Sequence, residues 1–230
     1  MKLAIMQPYF FPYIGYFQLI RAVDKFVFYD DVNFIKNGWI NRNRILLNNQ
    51  AIYITVQLKG ASSFKQINFV EFTDNREKLK KTIEQAYKKA PYFNSVWAVI
   101  NDSLDFKTSL ISELAIHSVV QVSKYLNLDT IFETSSIHYP ETKSLKKAER
   151  LKEICRINGA SGYINPIGGT ELYGKEEFTT LGIDLCFINY KDIKYVQGKN
   201  EFVPSLSIID VMMFNSPEEI NRMLNQYELI

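Results

Sequence analysis

The first thirty residues constrain the fold of this chain more than any other stretch. Leu3-Ala4-Ile5 is a short apolar run that reads as a buried strand, and Lys25-Phe26-Val27-Phe28-Tyr29 reads as a second. Between them, two prolines interrupt the loop Met6-Gln7-Pro8-Tyr9-Phe10-Phe11-Pro12-Tyr13. From Tyr16 onward, Phe17, Ile20 and Val23 recur at helical spacing, with Gly15 where the helix would begin. In a parallel sheet such a loop lies at the carboxyl end of the first strand, where open α/β folds bind ligands. The helix amino terminus beside it favours an anion. Gln7, Tyr9, Tyr13 and Tyr16 bring amide and hydroxyl groups to a place where packing alone would take Leu or Phe. The alternative is an aromatic lid on the core.

Short apolar runs alternating with amphipathic helices continue along the chain. Strands are predicted near residues 3–6, 26–29, 130–132, 162–164 and 185–188, the last of these closing the set. Together they give an α/β fold with a mainly parallel, Rossmann-like sheet, helices on both faces and right-handed crossovers. Ile45-Leu46-Leu47 and Ile52–Val56, separated by Asn48-Asn49-Gln50, suggest a hairpin. Ile67–Phe72 alternates and predicts another strand. Asp74 with Glu77 reads as a capping box for a helix running towards Lys89. Further helices are expected over Phe93–Leu104, Leu110–Tyr125, Ser144–Ile157 and about Tyr173–Thr180. Ser207 and Ser216 each open one more. The 230 residues read as one domain spanning 1–230, with a helical insertion over 74–126.

Composition removes several function classes. Hydrophobic residues are 47% and charged residues 23%, which suits a well-buried core. The net charge of +2 and the lack of a basic stripe give no support to a nucleic-acid partner. No apolar run approaches a membrane span, and Lys2–Ile5 is too short for a signal peptide, so a cytoplasmic protein is expected. With two His and two Cys, a Cys/His metal site is not expected; Cys155 and Cys186 read as buried free thiols. His117 reads as structural.

Several segments nevertheless concentrate donors and carboxylates. Asp30-Asp31 follows the second strand and could hold a metal ion or receive donors from a substrate; a solvated turn is the alternative. Asn41, Arg42 and Asn43 form a donor-rich segment suited to phosphate or carboxylate, with Arg42 the expected anion ligand. Ser144, Lys146 and Arg150 lie where a helix opens after a Thr-Ser-Ser turn, a place for an anion or merely a capped, solvated face.

From Gln7 to Ile20 the sequence resembles the WbqC-like family. The resemblance extends through Ala22–Val27, Asp30–Phe34 and Gly38–Asn43. It resumes at Gly159–Tyr163, Gly168-Gly169 and Ser207–Asp210, so it covers nearly the whole chain. That family is associated with bacterial O-antigen and other surface-polysaccharide gene clusters. The resemblance implies attachment of an amino acid or acyl group to a sugar. Tyr13-Ile14-Gly15-Tyr16 also resembles the His-Ile-Gly-His loop of nucleotidyltransferases, in the same place after the first strand. Here both histidines are replaced by tyrosines, which donate to phosphate without positive charge.

Two functions follow as expectations. The first is a transferase of surface-polysaccharide biosynthesis, moving an aminoacyl or acyl group to a sugar or sugar nucleotide, with nucleotide activation as one route. Its catalytic candidates are Tyr13, Tyr16, Asp30, Asp31 and Asp210. Gln7, Tyr9, Gly15, Asn41, Arg42, Asn43, Ser144, Lys146, Arg150, Gly168 and Gly169 would bind substrate. Tyr9, Tyr13, Tyr16, Asp30, Asn41, Arg42 and Ser144 are expected to share one concavity. ATP or another nucleotide with magnesium is the cofactor that activation would need, and the partner is a small molecule, a sugar nucleotide or an amino acid. The second function is a non-catalytic module binding a nucleotide or sugar nucleotide. A homo-oligomer is left open.

Overall fold

The computed structural model describes residues 1–230 except 171–173 and 200. Its first strand, β1 (Lys2–Met6), is followed by helix α1 (Ile14–Arg21) and β2 (Lys25–Phe28). A hairpin comes next, β3 (Arg42–Leu47) with β4 (Gln50–Thr55), then the two-residue pair β5 (Leu58–Lys59) and β6 (Glu71–Phe72). Helices α2 (Arg76–Tyr87), α3 (Phe93–Asp105) and α4 (Ile111–Tyr125) lead to β7 (Ile131–Thr134) and the short α5 (Ser135–His138). The chain continues through α6 (Lys147–Ile157), β8 (Gly162–Pro166), α7 (Lys175–Thr179) and β9 (Asp184–Tyr190). It closes with α8 (Ile208–Phe214), α9 (Pro217–Met223) and β10 (Tyr227–Leu229).

The central sheet has the order β10-β9-β8-β1-β2-β7. All neighbours are parallel except β10, which runs antiparallel against β9. Counted along the chain, the five parallel strands lie 5-4-1-2-3, the doubly wound order of a Rossmann-like sheet. Alternation along each strand separates two apolar layers. Ala4, Phe26, Phe28, Ile164 and Ile188 pack with residues of α1, α2, α3, α4, α8 and α9. Leu3, Ile5, Val27, Tyr163, Leu185 and Phe187 pack on the other face with Leu151, Ile154 and Cys155 of α6 and Phe178 of α7. The mainly parallel sheet with helices on both faces is therefore as the sequence predicts. Each fully buried Phe or Leu in these layers stabilises by about 1.5–3 kcal/mol.

The hairpin turns on Asn48 and Asn49, whose φ angles of 49° and 63° are those of a type I′ turn. Helix α6 ends on Gly159 at φ 58°, with Ala160 N–H reaching Cys155 O and Gly159 N–H reaching Arg156 O, a Schellman closure. Ser207 caps α8 through its hydroxyl, and Ser216 with Glu219 forms a full capping box on α9.

Five local expectations are corrected. Ile67–Phe72 is not a strand but a 3-10 turn at Ile67–Phe69 leading into β6, because Ile67 and Asn68 donate to Val32 O and Asp30 O. Asp74 and Glu77 form no capping box; Asn75 precedes α2, and Asp74 instead takes a two-pronged bond from Arg76 at 2.9 Å. Ser144 does not open α6: it ends a 3-10 turn, Pro140–Ser144, and is exposed, while the helix begins at Lys147. The strand near 185–188 is not the last, since β10 pairs beyond it. Cys155 is buried as expected, with its thiol pushed up to about 12 by burial, but Cys186 is half-buried. The expected helix start at Tyr173 lies outside the described residues. No described helix is long and apolar enough to cross a membrane.

Candidate functional site

The parallel strands present their carboxyl ends on one edge, and the strand order reverses between β1 and β8. Loops leaving neighbouring strands on opposite sides leave a crevice at such a point. Here the crevice has a volume of about 400 Å³ and is lined by Met6, Gln7, Tyr29, Asn165, Gly168 and Gly169, among others. Gly169 belongs there for a steric reason. A Cβ on it would lie 2.4 Å from Asn165 Nδ2, so glycine lets the turn close over that amide without displacing it. Gly168 is under no such constraint. Asn165 itself is only 8% exposed, and its side-chain amide, which forms no hydrogen bond with the described residues, faces the crevice it lines. An amide placed on the lining of a crevice can exchange its water for the donors and acceptors of a ligand.

Behind the crevice wall, β2 runs into Tyr29, Asp30 and Asp31. Arg150 of α6 ends 2.6 Å from Asp31 Oδ2, with both side chains almost wholly buried. Its Nε donates to Thr142 Oγ1 at 3.0 Å, and its guanidinium lies 4.9 Å above the Tyr29 ring. Burial works against the Arg150 charge, but Asp31 beside it outweighs that and keeps its pKa above the usual value. Ser135 Oγ is 2.5 Å from Asp31 Oδ1 and 3.1 Å from Asp30 Oδ1, so one hydroxyl hydrogen serves one carboxylate at a time. Ser136 satisfies Asp30 further, through its N–H at 3.0 Å and its hydroxyl at 2.7 Å. Burial raises the Asp30 carboxyl above its usual range, and the Ser136 bonds offset part of that. Three sequence candidates, Asp30, Asp31 and Arg150, thus form one buried cluster.

The WbqC-like protein family matches residues 7–222, almost the length of the chain. The chain belongs to the WbqC-like protein family. A relative from Mycobacterium tuberculosis, "Uncharacterized protein Rv1507c", is 28% identical over 222 residues, covering 93% of each chain. No solved structure matches.

The other candidate residues of this WbqC-like protein lie apart from the crevice. Tyr16 is buried and donates its hydroxyl to Gln7 O at 2.8 Å, with its ring against Tyr9 and Phe26. Tyr13, three residues earlier, is at the extended residue before α1 and turns the other way, edge-on to Tyr190. Gly15 lets the Tyr13 ring fold back, since a Cβ there would meet that ring at 2.3 Å. Asp210 is fully buried. It accepts from Tyr87 and Tyr195 hydroxyls at 2.7 Å and from Gln197 at 2.8 Å, and its pKa is raised by burial against those bonds. Asn41 donates to Val56 O, and Arg42 spends its Nε and Nη2 on Gly38 O and Asn37 O while covering the Tyr53 ring. Asn43 is buried and holds the Phe10 and Phe11 carbonyls. Ser144 and Lys146 are exposed.

The single concavity expected for Tyr9, Tyr13, Tyr16, Asp30, Asn41, Arg42 and Ser144 does not form. Tyr9 and Tyr13 line one cleft, Asn41 and Arg42 another, and Asp30 a third with Ser136 and His117. Ser144 is on the surface and Tyr16 in the core. Sequence reasoning passed over Asn165 and Tyr29 in the crevice. The signal for Asn165 was an amide inside an otherwise apolar strand, Tyr163-Ile164-Asn165.

Proposed function

We propose that this protein is a transferase that binds a nucleotide or sugar nucleotide in the crevice between β1 and β8. It would move an acyl or aminoacyl group onto a sugar during assembly of a surface polysaccharide of the O-antigen kind. The observation that carries the binding half is Asn165, whose side-chain amide lines the crevice with no hydrogen-bond partner among the described residues, at the point where the strand order reverses. Gln7 and Asn165 offer amides, and the Gly168-Gly169 turn lets a ligand approach backbone closely. The Asp31–Arg150 pair fixes the Tyr29 ring as a flat wall. The transfer half rests on the family resemblance. If ATP activates the donor, magnesium enters with the phosphates, because the Asp30 and Asp31 oxygens already have partners in the chain.

That same engagement favours a second reading. With Asp30, Asp31 and Asp210 all engaged by hydroxyls, amides or Arg150, a non-catalytic nucleotide-binding module is consistent with the geometry.

Melting curves with uridine, guanosine and thymidine diphosphate sugars and with ATP test the binding half. At one hundred times Kd a ligand stabilises by about 2.7 kcal/mol, a rise of roughly 5–11 °C for a chain of this size. Asn165→Leu should abolish the rise while the variant stays folded. No rise with any nucleotide, or an equal rise in the variant, refutes it. Mass analysis of the sugar nucleotide after incubation with acyl and aminoacyl donors separates the transferase from the module.

A further inference from the structure

A second cleft, lined in part by the proline-rich loop, has no residue in common with the crevice. Its volume is about 290 Å³, enough for one ring with its substituents. Tyr9, Tyr13 and Trp39 line it, with Tyr13 38% and Trp39 37% exposed. Soluble surfaces seldom cluster such rings without use. The walls are fixed: Phe10 N–H donates to Trp39 O at 3.0 Å, and the Trp39 ring stacks on Tyr53, itself covered by Arg42.

Arg44 closes one end of the cleft. It forms no ion pair among the described residues; its Nη2 donates to Ser205 O at 2.9 Å, and its Nε is buried without an acceptor. A half-buried guanidinium that meets only a neutral carbonyl is an incomplete site, since such a charge is stable beside an anion. One non-glycine residue lining the cleft, Ser205, has left-handed backbone at φ 58°. Strain of this kind persists only where the surroundings hold it, and it gathers at ligand sites.

We infer that the Tyr9–Tyr13–Trp39 cleft binds an anionic pyranose, a sugar ring bearing a carboxylate or a phosphate, with the anionic group on Arg44. The rings offer flat apolar faces to the C–H side of the sugar. The tyrosine hydroxyls and the Ser205 carbonyl offer partners to its hydroxyls. A planar guanidinium takes either anionic group. The inference does not depend on what the crevice binds.

Trp39 supplies its own reporter. The chain has two tryptophans, and Trp97→Phe leaves Trp39 alone; Trp97 stacks on Phe93, which phenylalanine can still do. This variant is titrated by fluorescence with methyl glucuronide, glucose 1-phosphate, methyl glucoside and inorganic phosphate, and the unaltered protein by calorimetry with the same four. A saturable change is expected with methyl glucuronide or glucose 1-phosphate, whichever carries the preferred anion. Methyl glucoside should bind at least roughly tenfold more weakly, and Arg44→Gln should erase that difference, the loss of one charge-assisted contact. Equal binding of charged and neutral sugars would overturn the inference, as would undiminished binding by Arg44→Gln. So would phosphate alone matching glucose 1-phosphate, or no saturation by either method.

Discussion

Replacing Arg150 with methionine removes one half of a buried ion pair and leaves the other half where water cannot reach it. The Asp31 carboxylate would keep a single donor, the Ser135 hydroxyl, which it shares with Asp30. Taking one partner from a buried pair costs about 3–5 kcal/mol, since the stranded charge has lost its solvation and its counter-charge together. At about 2–4 °C per kcal/mol for a chain of this size, Arg150→Met should melt roughly 6–20 °C below the parent. Removing both charges, as Asp31→Leu with Arg150→Met, should recover most of the loss and end within about 1–2 kcal/mol of the parent. Urea unfolding of the parent, both single variants and the double variant closes the cycle. If Arg150→Met costs less than about 1 kcal/mol, the pair is not as dry as its geometry says. If the double variant loses the sum of the singles, the two residues are uncoupled, and the account of the Tyr29 wall fails with it.

Gly169→Ala should force the Asn165 amide aside, because its Cβ would start 2.4 Å from Asn165 Nδ2. A cost of about 1–3 kcal/mol is expected in urea, together with weaker nucleotide binding in the melting assay. Asp210 bears on pH. Burial raises its folded pKa, so its contribution to stability is fully present below the unfolded value of about 3.9 and falls as pH rises through the higher folded value. The stability of Asp210→Asn should lack that decline; measured from acid to neutral pH, a difference from the parent that stays constant would refute it.

Much of the framework was legible because it rests on local signals. Asn48-Asn49 between two apolar runs could only be a tight turn, and Ser207 and Ser216 carry their caps within three residues. The sheet followed from apolar runs that alternate with helical periods. What could not be read depends on partners far along the chain. Ile67–Phe72 has the period of a strand, yet Asp30 and Val32 claim its amides before any strand can. Tyr227-Glu228-Leu229 is too short to show a period, and only β9 makes it a strand. Arg42 and Arg44 looked equivalent by type. Arg42 reaches back to carbonyls four and five residues away, whereas Arg44 reaches a carbonyl 161 residues away, a pairing no local pattern announces. The same holds for Asp31 and Arg150, 119 residues apart.

Phe11 carries a consequence for the order in which this chain assembles. Its N–H donates to Ser118 Oγ, and its carbonyl takes Asn43 Nδ2 and Ser207 Oγ, contacts spanning 107, 32 and 196 residues. A left-handed phenylalanine has no local reason to exist, so it waits until helix α4, strand β3 and the cap of α8 are all in place. Closing three loops of such length is slow, which puts this residue among the last to settle during folding. The same dependence works in reverse. Its amide hydrogen, held by Ser118 Oγ, exchanges with solvent only when helix α4 parts from the loop, so a single proton near the amino terminus reports an opening 107 residues further along the chain.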